Sequence, residues 1–268
     1  MPPADAYSDD LALLLDHALA AGEIAKRTHR TDVDVWEKDG GAGPVTEADI
    51  AIDRMLRAEL TAARPDHGWL SEETEDDRAR VEAERVFIVD PIDGTRAFMR
   101  GDDDFCHALA IAERGEIVAA VAHFPIKGQT YSATRGGGAW LDGARLTVSA
   151  RTEIEGASAL AGKPQVDPKK WPGGAPPVSR AFLNSLVYRH CLVADGRYDL
   201  AFTLRAAWEW DVAAGELIAR EAGAEVTTCD GGRWRYNAAH PRMPGVVVGP
   251  PALHADVMAR LRIPVGGH

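Results

Sequence analysis

Cysteine is scarce in this chain, and membrane-length apolar runs are missing. The three cysteines in 268 residues, Cys106, Cys191 and Cys229, include no two with the short spacing of a metal-binding or redox pair. That argues against a disulfide framework or a cysteine-based zinc site and leaves reduced, structural thiols. No segment approaches the roughly 20 apolar residues that span a bilayer. The start, MPPADAYSDD, has neither the basic end nor the apolar core of a signal peptide. A cytoplasmic protein with no membrane contact is expected. Basic stripes are missing too: 41 Asp and Glu stand against 30 Lys and Arg, for a formal net charge of −11. Such a surface has no electrostatic footprint for a nucleic-acid polymer. There is no internal repeat or low-complexity tract, and the glycines of RGGGAW (135–140) lack dinucleotide-loop spacing and suit turns.

What is present alternates between helix and strand patterns. SDDLALLLDHALAAGEIAKRTHR puts Leu11, Leu14, Leu15, Ala18 and Ala25 on one helical face, with Ser8 as the expected cap. A second helix is expected after Thr46, with Asp49 and Asp53 one turn apart. GWLSEE reads as a short strand, and RVFIVD as a strand buried on both faces, since it does not alternate. FCHALAIAE and EIVAAVAHF, joined at Arg114-Gly115, predict an antiparallel pair. Residues 163–177 (KPQVDPKKWPGGAPP) are expected to form a mobile loop, and a helix is expected to open at Asp211. The texture changes near residue 150, so two halves are expected, 1–150 and 151–268.

The chemistry gathers in carboxylates. Asp49, Glu72, Glu73, Asp90, Asp93 and Asp211 each end a predicted strand or open a predicted helix. Carboxylates around one cavity cannot all ionise without cations. With no His/Cys set in competition, oxygen-only ligands favour Mg²⁺, with Mn²⁺ as a substitute. In VFIVDPIDGT (86–95) an apolar strand delivers Asp90 and Asp93, and Gly94-Thr95 then turns into a short helix whose free N–H groups suit a phosphate. Phosphatases with an aspartyl nucleophile carry Asp-any-Asp-Gly-Thr after such a strand. Here Ile92 falls where that nucleophile belongs, so a phosphoenzyme route is not expected.

In order along the chain, KDGGAGPVTEAD, GWLSEE, VDPIDGTRAF, GGGAWLDG and WEWDVAAGELIAREAGA resemble the inositol monophosphatase superfamily of metal-dependent, lithium-sensitive phosphatases. The resemblance implies a layered α-β-α-β-α sandwich with the active site between two halves, commonly a homodimer. By position, Glu72, Asp90 and the carbonyl of Ile92 would hold one metal. Asp90, Asp93 and Asp211 would hold a second, and Glu72 would help hold a third through waters. Gly94 and Thr95 would bind phosphate, Thr95 and Asp49 would orient and deprotonate the attacking water, and Lys38 would stand beside a mobile loop. Thr46 fits its motif or simply caps its helix.

The substrate is less determined. Where inositol-preferring members place a sugar-binding glutamate, FTLRAAWEWD offers Thr203 or Leu204. Arg189 and Arg205 suggest a basic rim suited to a second phosphate, and LSEE resembles the branch that hydrolyses 3′-phosphoadenosine 5′-phosphate. The expected activity is therefore a 3′(2′),5′-bisphosphate nucleotidase. Inositol 1-phosphate, fructose 1,6-bisphosphate and histidinol phosphate are the alternatives. A non-catalytic phospho-ligand module is disfavoured because every expected metal position is filled. His107, His123 and His190 are expected as satisfied core residues. Trp208 and Trp210 either wall the substrate pocket or pack the helix start.

Overall fold

The computed structural model describes residues 6–31, 34–37 and 43–261. Helix α1 (Ser8–Thr28) precedes a small ribbon of β1 (Val35–Glu37) and β2 (Pro44–Thr46), then α2 (Glu47–Ala63). A seven-stranded sheet follows: β3 (Gly68–Ser71), β4 (Arg85–Asp93), β5 (Cys106–Glu113), β6 (Glu116–Phe124), β7 (Gln129–Thr134), β8 (Gly138–Leu141) and β9 (Ala144–Arg145). The short α3 (Thr95–Met99) leaves the tip of β4. Strands β3 and β4 are parallel and the others antiparallel, in sequence order across the sheet. The β5–β6 hairpin turns at Arg114 (φ 51°) and Gly115 (φ 81°), two left-handed residues that match the twist of antiparallel strands.

The remaining chain builds a second layer from β10 (Ser158–Leu160), β11 (Ser179–Ala181), α4 (Leu186–Ala194), β12 (Leu200–Thr203), β13 (Ala207–Trp208), α5 (Ala213–Glu221), β14 (Glu225–Thr227), β15 (Arg242–Met243), β16 (Val246–Gly249) and α6 (Pro251–Leu261). Five of these strands form a mixed sheet in the order β11-β10-β12-β16-β14, while β13 pairs with β15.

Three apolar clusters fix the layers. Phe87 and Val89 of β4, with Leu109 and Ile111 of β5, pack on Leu14, Ala18, Ile52 and Leu56 of α1 and α2. Val86, Ile88, Ala108, Ala110 and Ala120 face the other way, onto α4, α5 and the second sheet. The alanines on that face let helices approach closely. Leu200, Phe202 and Val247 turn outward to α6. The result is the expected α-β-α-β-α sandwich, and the lack of alternation in VFIV is explained by helices on both sides. The large middle cluster draws residues from both sides of position 150. No described helix is long and apolar enough to cross a membrane.

Three sequence expectations change here. Tyr7, not Ser8, occupies the cap position of α1, without a side-chain capping bond; its ring lies under the Arg85 and Arg135 guanidinium groups. The 163–177 segment is anchored: Trp171 is buried, its indole N–H donates to the Gln165 carbonyl (2.8 Å), and the Gly173 N–H donates to Arg260 O (2.9 Å). Asp211 lies in the turn before α5, which starts two residues later.

Candidate active site

The end of β4 defines the site. Asp90 pairs with Ala108 and Asp93 with Cys106, and the register shifts between them. Pro91 is tolerated at that irregularity, and its carbonyl accepts from His107 Nδ1 (2.5 Å). Gly94 follows at φ 105°, where an added Cβ would stand 3.1 Å from Asp104 O and 3.3 Å from the Cβ of Ser185. Backbone and space both require glycine there. Helix α3 begins at once; the Ala97 N–H already donates back to Gly94 O (2.7 Å), which leaves the N–H groups of Thr95 and Arg96 without intrahelical partners.

Three other elements converge on this tip. Helix α2 begins with a capping box in which Asp49 Oδ2 accepts from the Thr46 N–H (2.9 Å) and hydroxyl. Thr46 is therefore the helix cap, and it orients Asp49. The other carboxylate oxygen, Oδ1, lies 3.4 Å from Thr95 Oγ1, which is also 3.1 Å from the Ile92 carbonyl. Its single proton can serve one of these acceptors at a time. Strand β3 delivers Glu72, whose N–H donates to Val89 O (3.2 Å). Buried Asp53 braces the end of that strand by accepting from Ser71 (2.5 Å) and Thr74 (2.6 Å). From the second half comes Asp211, which accepts from the Trp208 N–H (3.1 Å). Its loop is pinned by buried Glu209, which accepts from Asn237 N (2.7 Å) and Ala238 N (2.9 Å).

An open cleft results, lined by Gly43, Pro44, Glu72, Ile92, Gly94, Thr95, Arg96, Asn184 and Asp211. Below it lies uncompensated negative charge. Asp90 is 2% exposed, and its Oδ1 has no hydrogen-bond partner among the described residues. Burial, then the charges of Glu72, Asp93 and Asp211, hold its pKa well above the ordinary carboxylate range. Burial raises Asp93 to about 6, against the lowering effect of bonds from Ser185 Oγ (2.6 Å), Val187 N (2.7 Å) and Leu186 N (3.2 Å). Burial, then Glu72 and Asp93, raises Asp211 to about 7.

The donor set fits a hard divalent cation: it is all oxygen, it is anionic, and it includes a buried carboxylate oxygen with no proton donor facing it. Glu72, Asp90, Asp93, Asp211 and the Ile92 carbonyl could hold such an ion. The shell is not finished, however. Among the described residues no three His, Cys, Asp or Glu side chains are drawn together as a metal site, and Asp93 is turned toward the start of α4.

The remaining expectations divide. Lys38 lies outside the described residues. Arg205 is exposed and close enough to lower the pKa of Asp211. Arg189 is not on the rim. It is 7% exposed, grips the Leu183 carbonyl through Nε (2.8 Å) and Nη2, and lies over the Phe182 ring. Burial lowers its pKa to about 10. It therefore fixes the 183–185 segment that brings Asn184 to the cleft and Ser185 to Asp93. Trp208 and Trp210 stack on each other (4.9 Å, 9°) under Arg242; Trp210 packs on the core and neither lines the cleft. His123 is satisfied by Thr130 Oγ1 (2.9 Å). His107 is satisfied at one nitrogen, and His190 at neither, among the described residues. Burial keeps both neutral, with pKa values of about 3. Cys106 and Cys191 are buried with raised pKa values, as inert thiols should be.

Sequence reasoning placed Asp53 one turn from Asp49 without giving it a role, and missed Arg96, Asn184, Ser185 and Glu209. Only Ser185 carried a local signal, as a serine directly before an apolar helix.

Residues 8–263 match the Inositol monophosphatase family. The chain belongs to that family. Inositol monophosphatase relatives include a Rhizobium meliloti inositol-1-monophosphatase, 38% identical over 72% of this chain and 75% of its own length. A Mycobacterium tuberculosis histidinol-phosphatase is 34% identical over 94% and 98%, and the Pseudomonas aeruginosa Nus factor SuhB is 36% identical over 82% and 86%. Among solved structures, a Thermotoga maritima IMPase superposes with a TM-score of 0.81 at 28% identity, covering 94% of this chain and 96% of that one. As a member of this family of phosphatases, the chain is a hydrolase of phosphate esters, and its layered fold is the family's.

Proposed function

We propose that the chain is a divalent-metal-dependent phosphomonoesterase whose substrate is a 3′(2′),5′-bisphosphate nucleotide such as 3′-phosphoadenosine 5′-phosphate. One observation carries the metal dependence: the buried Asp90 oxygen without a donor, among carboxylates that raise one another's pKa. Mg²⁺ or Mn²⁺ bound by Glu72, Asp90, Ile92 O, Asp93 and Asp211 would supply charge neutralisation and an acidified water. The chain supplies the rest. Thr95 Oγ1 accepts a hydrogen bond from the attacking water and passes its own proton toward Asp49 Oδ1, already oriented by the capping box. The N–H groups at Gly94 and Thr95 hold the phosphoryl oxygens in place. No side chain is required as nucleophile.

The nucleotide reading draws support from what surrounds the cleft. Thr203 is buried at the end of β12, and Leu204 is tied through its N–H to Gln165 Oε1 (3.0 Å) and packs toward α6. Neither supplies a carboxylate for sugar hydroxyls. The names of the relatives favour a rival, inositol 1-phosphate. Phosphate release with magnesium and with a chelator, on both substrates at equal low concentration, tests the assignment. Activity abolished by chelation and at least about 100-fold higher kcat/KM on the nucleotide is the expected result, equivalent to about 2.7 kcal/mol in transition-state binding. A preference for inositol 1-phosphate overturns the substrate, and full activity in chelator overturns the metal.

A further inference from the structure

Arg96 is the only cationic side chain among the described residues that line the cleft. It follows Thr95 on the first turn of α3, yet it is exposed where Asp90 and Asp93 are buried. Its Nη2 lies 4.0 Å from where a Cβ on Gly43 would stand, so the guanidinium sits against the Gly43-Pro44 wall at the mouth. No side-chain ion pair or hydrogen bond engages it among the described residues, although the protein is acidic overall. Many arginines elsewhere are paired, among them Arg64 and Arg85 on Asp10, Arg197 on Asp195, and Arg220 on Glu216.

The reacting phosphoryl group must lie deep, against Thr95 and the buried carboxylates. A guanidinium at the mouth is displaced outward from that point and faces whatever the substrate carries at its far end. Its planar fork matches a phosphate or carboxylate through two parallel N–H···O bonds. We propose that Arg96 is a specificity-determining residue that binds a second anionic group on the substrate and so selects bisphosphates over monophosphates. The inference rests on the phosphatase reading above, but it does not require the substrate to be a nucleotide.

The test uses matched pairs with magnesium: adenosine 3′-phosphate against adenosine 3′,5′-bisphosphate, inositol 1-phosphate against inositol 1,4-bisphosphate, and fructose 1-phosphate against fructose 1,6-bisphosphate. The readout is the ratio of kcat/KM for the bisphosphate to that for the monophosphate. In the pair where the unaltered enzyme favours the bisphosphate, Arg96→Gln should lower that ratio at least tenfold. Arg96→Lys should lower it less, and Arg96→Glu more. An unchanged ratio in Arg96→Gln, with the bisphosphate still preferred, overturns the role of Arg96 and leaves the substrate assignment standing. A preference confined to the inositol or fructose pair, lost in Arg96→Gln, upholds Arg96 and overturns the nucleotide. No bisphosphate preference in any pair of the unaltered enzyme overturns both.

Discussion

Two groups of buried and half-buried acids in this molecule are treated in opposite ways. Away from the cleft, buried and half-buried acids are answered by donors: Asp10 by Arg64 and Arg85, Glu113 by Arg85 and Arg135, Asp195 by Arg197, Glu216 by Arg220, Asp53 by the Ser71 and Thr74 hydroxyls, and Glu209 by the Asn237 and Ala238 N–H groups. At the tip of β4, Asp90, Asp93 and Asp211 have no ion pair among the described residues and are raised in pKa partly by one another and Glu72. Paired acids serve the fold, because breaking such a pair strands a charge. Acids left facing one another destabilise the fold, and they make sense only if a ligand completes them. Burial alone would not separate the groups; carboxylates facing carboxylates with no ion pair between them do.

The largest effect that would test this contrast comes from swapping the amide for the acid in each group. Asp211→Asn should cut kcat/KM with magnesium by about 100-fold or more. It should also raise the melting temperature of the metal-free protein near pH 8, because a repelling charge is gone. Asp10→Asn should do the reverse, costing about 1–3 kcal/mol of stability while turnover remains. Steady-state kinetics and thermal melts on both variants decide it; a metal-free Asp211→Asn protein that is less stable at pH 8 would contradict the repulsion argument. Asp211 suits this purpose better than Asp93, whose carboxylate also caps α4.

Next in size is a pH effect. Asp93 and Asp211 titrate at about 6 and about 7 when folded, above their ordinary value of 3.8. Between those limits the folded chain binds more protons than the unfolded chain, so stability falls as pH rises. Metal-free protein should melt at a lower temperature near pH 8 than near pH 5, and magnesium should raise the melting point more at pH 8. A metal-free melting temperature that is flat or rising across this window would show that the cluster is not strained by its own charge. The smallest expected change is from Ser185→Ala, which removes a donor to Asp93 and the cap of α4 together. It should cost about 1 kcal/mol of stability and weaken the dependence of rate on magnesium only severalfold in a titration.

Legibility in the sequence followed chain distance. VFIVDPIDGT announced itself because a strand, two acids and a glycine turn are all local. Thr46 and Asp49 were readable as a cap for the same reason. Ser185 donates to a residue 92 positions away, and Arg80 fastens the Asn237 loop across 157. No local pattern encodes such partnerships. Arg189 misled because a lone arginine in an apolar helix looks like a ligand-binding charge; only the Leu183 carbonyl and the Phe182 ring show that it braces its own chain. Arg96 escaped notice inside a motif whose other letters already had roles.

The register shift in β4 has a consequence for heredity. In a regular strand, residues three apart face opposite sides of the sheet. Asp90 and Asp93 reach the same cluster because the ladder slips between them. The constrained quantity at Pro91-Ile92 is therefore residue count as much as chemical identity. Many substitutions there could be repaired by small shifts of neighbours. A single codon gained or lost would turn one acid away from its partners, and no side-chain adjustment nearby could bring it back. Over evolutionary time, this stretch should tolerate changes of spelling far better than changes of length.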